Sequence, residues 1–183
     1  AIGIVNGIYK PNNKDQLNRG TLTDEDGKII DTVILGKALS LIKKYINLEK
    51  NYFWIVYPRN KNTNNLHLQV AGIWDPYQLN QVDNSNQGKD PNELLEELNL
   101  SNNYFSIRGE LVYVNVEKKE FVIKICSSPN SKRLKDPTFK IIVEGEISLK
   151  FLNNFVSLDV IRDGNILRMV KYEIIEKIKS AKS

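Results

Sequence analysis

Between Ile2 and Trp74 only one segment repeats its apolar residues at helical spacing, and the rest alternates or breaks as strand and turn do. The helical segment runs from Lys37 to Lys50. Leu39, Ile42 and Ile46 lie along one side of it, with Ala38, Leu41 and Tyr45 beside them. Three strand-like runs precede it: "IGIVNGIYK", "RGTLT" and "IIDTVILG". Two follow it: "NYFWIVYPRNK" and "LHLQVAGIW". Glycines inside the first run predict a bulge or bend. "PNNKDQLN" and "NKNTNN" have loop composition. Asp26-Gly27 predicts a hairpin of type I′, which needs positive φ at both central residues. One helix between three strands and two more is the layout of a small, mainly β barrel.

The plan recurs after residue 103. "YFSIRGELVYVNV" carries a mid-strand glycine, Gly109, as the first block carries Gly7. "FVIKICS" alternates Phe121, Ile123 and Ile125 with Val122 and Lys124, and a basic stretch from Ser128 to Thr138 leads to "FKIIVEGEI". "SLKFLNN" has the look of a short helical turn. "FVSLDVIRDGNILRMVKYEIIEKI" reads as a long closing hairpin with Asp163-Gly164 at its tip. Between the blocks, "NQVDNSNQGKD" has linker composition. "DPNELLEEL" opens like a helix, with Asp90 as N-cap, Pro91 at the first position and Glu93 where a capping box wants it. The expected division is residues 1–76, a linker with a short helix at 77–103, and residues 104–183.

Over Ile2 to Trp74 and Tyr104 to Ile178 this layout resembles that of tandem OB-fold proteins. The resemblance implies two small five-stranded Greek-key barrels, mainly β with few helices. It also implies binding across the second and third strands of a barrel and the loops that flank them.

Charge and composition narrow the chemistry. The net charge of +4 divides into +3 over residues 1–77 (10 basic, 7 acidic), −4 over 78–103 (1 and 5) and +5 over 104–183 (15 and 10). Two mildly basic blocks permit contact with phosphate. One histidine (His67) and one cysteine (Cys126), in different blocks, cannot supply the four ligands of a structural zinc site or a Cys–His catalytic pair. "DEDG" opens like a calcium loop, but position twelve from Asp24 is Leu35 and the flanks are strands. Glu144 and Glu146 read as solvated. No phosphate-cradling glycine loop or nucleophile elbow is present. The expectation is a protein that is not an enzyme, needs no cofactor or metal, has no membrane span and works in the cytoplasm.

The aromatic run "NYFWIVYPRNK" splits by strand alternation into Tyr52, Trp54 and Val56 on one face and Phe53, Ile55 and Tyr57 on the other. Single-strand binders stack bases on aromatics beside a basic groove. Trp54 with Arg59 and Lys61 offers one such arrangement, although it lies outside the second and third strands of its block. Those strands hold no aromatic, and Asp31 places a negative charge there. The second block offers another: Lys132, Arg133 and Lys135 in its basic loop, Lys124 on the adjoining strand, and Arg108 and Tyr113 on its first strand. The expected partner is single-stranded DNA or RNA. The alternative is a protein partner, met by the "DPNELLEEL" helix or by an outer face of Tyr52, Trp54 and Val56.

Overall fold

The computed structural model describes residues 1–61, 65–74, 102–126 and 138–177. The linker, the "DPNELLEEL" helix and the loop bearing Lys132, Arg133 and Lys135 lie outside the described residues. The described residues fall into two compact units. One takes in 2–57, 67–74 and 102–104; the other takes in 1, 58–61, 65–66 and 105–177.

The first barrel is built from β1 (Ile2–Asn13), β2 (Gln16–Asp24), β3 (Ile29–Ile34), α1 (Gly36–Tyr45), β4 (Tyr52–Lys61) and β5 (Asn65–Trp74). Its strands follow the order β2-β3-β5-β4-β1, and a further β2–β1 pairing closes the ring. β3 and β5 run parallel, and α1 with β4 supplies the long connection that a parallel pair needs. Gly7 is where β1 changes partners: it stands opposite Tyr52 of β4 and also opposite Asp24 of β2. A Cβ at Gly7 would overlap the Thr23 carbonyl oxygen, so the close approach of β1 and β2 requires glycine.

Inward alternation fills the ring. Val5, Tyr9, Leu22, Ile30, Trp54, Val56, Leu68 and Val70 are all essentially inaccessible to water. Ala38 and Ile42 of α1 are buried as well. The helix ends at Tyr45, five residues short of the expected Lys50, because Ile46 is already extended. Asn47 then forms a turn: its side chain accepts from Glu49 N–H (3.0 Å), and its own N–H donates to the Tyr52 hydroxyl (3.2 Å).

Two loop expectations are corrected. "PNNKDQLN" is mostly strand, since β1 runs to Asn13 and turns tightly into Gln16, with a register shift between Pro11 and Asn13 where the proline sits. The β2–β3 hairpin exists, but only Gly27 has positive φ (79°), so the turn is not type I′. The Asp24 side chain holds it instead, accepting from Asp26 N–H and Lys28 N–H, both at 2.9 Å.

The second barrel repeats the ring with β6 (Tyr104–Asn115), β7 (Glu120–Cys126), β8 (Thr138–Glu144), β9 (Asn154–Asp163) and β10 (Ile166–Lys177). The order is β6-β7-β8-β10-β9, closed by β6–β9. Gly109 takes the role of Gly7: a Cβ there would overlap the Lys124 carbonyl oxygen. Phe105, Ile107, Leu111, Phe121, Ile123, Ile141, Val143, Val156, Leu158 and Val160 form the core. In place of a helix, a single 3-10 turn (Leu149–Phe151) lies between β8 and β9, capped by Ser148. β9 and β10 meet at a two-residue turn whose Gly164 has φ 59°. Arg162 is buried behind it and donates to the Gly164 carbonyl (2.8 Å). The chain is therefore mainly β, with one α-helix among the described residues.

Candidate nucleic-acid interface

The aromatic run resolves first. Trp54 and Val56 point into the first barrel and are fully buried. The indole N–H donates to the Gly7 carbonyl (2.9 Å), and the ring lies against Tyr9 and Tyr52, with centroids 6.0 and 5.8 Å away. Trp54 is thus a core residue and presents no free face for stacking, and the face of Tyr52, Trp54 and Val56 is the inner one. Both corrections have the same cause. A strand apolar on both sides does not reveal which side closes the barrel. On the other side Phe53, Ile55 and Tyr57 are half-buried, and Phe53 meets Trp74 edge-on (5.9 Å, 88°).

Arg59 does not stand as a free cation. Its guanidinium carbon lies 3.5 Å from the centre of the Phe139 ring, and one of its nitrogens donates to the Pro58 carbonyl (3.0 Å). Lys61 ends β4, and its side chain lies outside the described set. The outer side of β2 and β3 presents Arg19, Thr21, Thr23, Ile29, Asp31 and Val33. It is polar apart from Ile29 and Val33 and has no aromatic.

The outer face of β6, β7 and β8 gathers the other candidates. Inward alternation of Phe121, Ile123, Ile141 and Val143 forces Val122, Lys124, Lys140 and Ile142 outward. Register then makes rows across the sheet. Tyr113 stands opposite Val122, and Val122 opposite Ile142. In the neighbouring row Glu110 stands opposite Lys124, and Lys124 opposite Lys140. Arg108 is exposed, two residues from Glu110 on the same side of β6. This end of the sheet is also where β7 and β8 run into residues 127–137.

Tyr113 is 52% exposed. It follows a register shift between Leu111 and Tyr113, where a bulge re-aims the strand. Its hydroxyl is 3.5 Å from the Asn115 amide nitrogen. The Lys124 ammonium lies 3.2 Å from a Glu110 carboxylate oxygen, so one cation of the face is already paired. Lys140 is exposed on the same row.

The face therefore offers an aromatic ring in one row with two aliphatic side chains, and cations in the adjacent row. A flat base can stack on the first feature, and phosphates can lie along the second. Of the nine candidates, the structure brings Arg108, Tyr113 and Lys124 onto this face. It adds Lys140, Val122, Ile142 and the countercharge Glu110. The alternation in "FKIIVEGEI" was the signal for Lys140 and Ile142. Glu144 and Glu146 are exposed as expected, and each meets a cation: Glu144 pairs with Arg168 (3.4 Å) and Glu146 with Lys119 (3.2 Å). Among the described residues no helix is long and apolar enough to cross a membrane.

Comparison with known families agrees with the topology. Residues 1–81 match a family described as PatR RNA-binding protein, N-terminal OB-fold domain. Residues 107–176 match one described as cyanobacterial OB-fold-like RNA-binding domain, C-terminal. No curated protein matches the chain. Two closed five-stranded rings of the same strand order, each similar to its own OB-fold family, make this chain a tandem OB-fold protein.

Proposed function

We propose that the protein binds single-stranded RNA without catalysing a reaction, and that the β6–β7–β8 face of the second barrel is the principal contact. The observation that carries this reading is the row Tyr113–Val122–Ile142 lying beside the row Lys124–Lys140. The descriptions of both matched families, each naming RNA, support RNA over DNA. Tyr113 is the stacking group, and Arg108, Lys124 and Lys140 contact phosphates. Lys132, Arg133 and Lys135 belong to the same proposal as further phosphate contacts, by their place in the chain between β7 and β8.

The test is fluorescence anisotropy of labelled RNA and DNA oligomers of equal sequence, titrated at several salt concentrations. RNA should bind more tightly than DNA. Phosphate contacts from Arg108, Lys124 and Lys140 contribute about −2 to the slope of log affinity against log salt. Replacing all three by alanine should flatten that slope. A slope unchanged in the triple variant would place the contact elsewhere, and absence of RNA binding at low salt would overturn the reading.

A further inference from the structure

The outer edge of β10 has a different character from the face just described. β10 touches β8 through one register pair, Arg168 opposite Glu144, and β8 ends there. Beyond Arg168, no strand among the described residues pairs with that edge, while the other edge of β10 is zipped to β9 as far as Lys177. Val170 (66%), Tyr172 (40%) and Ile175 (52%) are exposed along this stretch. Phe151 of the 3-10 turn lies against the Tyr172 ring (centroids 6.1 Å), and Leu149 beside it in sequence is 53% exposed.

Open edges are ordinarily blunted by bulges and lysines. Here the register shifts fall at Val170 and at Ile175, and only between them do Lys171, Tyr172, Glu173 and Ile174 pair regularly with β9. A regular run paired on one edge only, with an exposed aliphatic residue at each end, can accept an added strand on its other edge.

We infer that this edge pairs antiparallel with the same edge of a second copy of the chain, about a two-fold axis at Tyr172. Charge selects the register. In a two-fold antiparallel pair the axis passes through one residue, because facing residues must lie on the same side of the sheet. Centred on Tyr172, Lys171 faces Glu173 of the second copy, the reciprocal pair forms as well, and the two tyrosines face each other. Centred on Lys171 or on Glu173, like charges face each other. Centred on Ile174, no opposite charges meet within the run. The edge is short beside a standard interface of about 800 Å² a side, so the dimer is a weak one that forms at high concentration.

The experiment is sedimentation velocity of the RNA-free full chain, from micromolar to near-millimolar concentration. It is run on the parent, on Lys171→Glu, on Glu173→Lys and on the double swap. The parent should dimerise with rising concentration. Each single reversal puts like charges face to face twice and should weaken the dimer about tenfold, and the double swap should restore it. Lys171 also lies 3.9 Å from Asp159, so its reversal disturbs the barrel's own surface; Glu173→Lys leaves that contact in place and is the cleaner variant. A parent that stays monomeric throughout, single variants that dimerise like the parent, or a swap that fails to rescue would each overturn the inference.

Discussion

Two aromatic residues, Trp54 and Tyr113, should respond to substitution in opposite ways. Trp54→Phe removes the indole N–H that donates to the Gly7 carbonyl inside a fully buried cluster. Leaving that carbonyl unsatisfied costs about 1–3 kcal/mol. The lost ring area adds about 1 kcal/mol at 25 cal/mol per Å². The expected destabilisation is about 2–4 kcal/mol, with RNA affinity of the folded protein unchanged. Tyr113→Ala removes a ring that is half exposed and whose hydroxyl makes only a long contact. Its effect on stability should stay near 0.5 kcal/mol, as for roughly any surface change. Its effect on single-strand binding should be the loss of one stacked base, about 1–3 kcal/mol, or roughly five- to 150-fold in affinity. Urea melts followed by circular dichroism measure the first quantity, and anisotropy with labelled RNA measures the second. The reasoning is refuted if Tyr113→Ala binds RNA like the parent. It is equally refuted if Trp54→Phe melts like the parent but loses tenfold in affinity.

Three further outcomes can be checked. Glu110→Gln removes the carboxylate that pairs with Lys124, so RNA affinity should rise and its salt dependence steepen; weaker binding would mean that Glu110 serves chiefly to aim Lys124. The Tyr9 hydroxyl is buried and donates to the Leu17 carbonyl (2.8 Å), and burial pushes its pKa up to about 12 from an ordinary 10. Because the folded state holds the proton more tightly, this stabilisation is complete below pH 10 and is lost as pH rises towards 12. Tyr9→Phe should flatten that alkaline decline in a series of thermal melts. Gly109→Ala drives a methyl group into the Lys124 carbonyl and should destabilise the second barrel by on the order of 2 kcal/mol or more, measured as a lowered urea midpoint.

Much of the fold is legible in the chain because its signals are local. Alternation in "FVIKICS" and "FKIIVEGEI" marks the inward faces, and the paired glycines Gly7 and Gly109 mark where the first strand of each barrel meets the second too closely for any side chain. The position of α1, three strands in and two from the end, corresponds to the order in which the ring closes. The helix end was less legible, because "INLEK" keeps helical spacing while Asn47 diverts the backbone into a turn. The type I′ expectation at Asp26-Gly27 failed because the Asp24 carboxylate supplies a turn geometry that a dipeptide signal does not encode.

The sequence by itself determined the number and order of the strands, the repetition of the plan and which positions alternate, since these follow from a period of two read along one segment. Only the tertiary structure decided which side of "NYFWIVY" faces inward, because both sides are apolar and the choice depends on how β4 meets β1. It also decided that Lys124 stands between Glu110 and Lys140, and Tyr113 beside Val122. Cross-strand register is a relation between segments far apart in the chain, and one residue of slip would send each of these side chains to the other face.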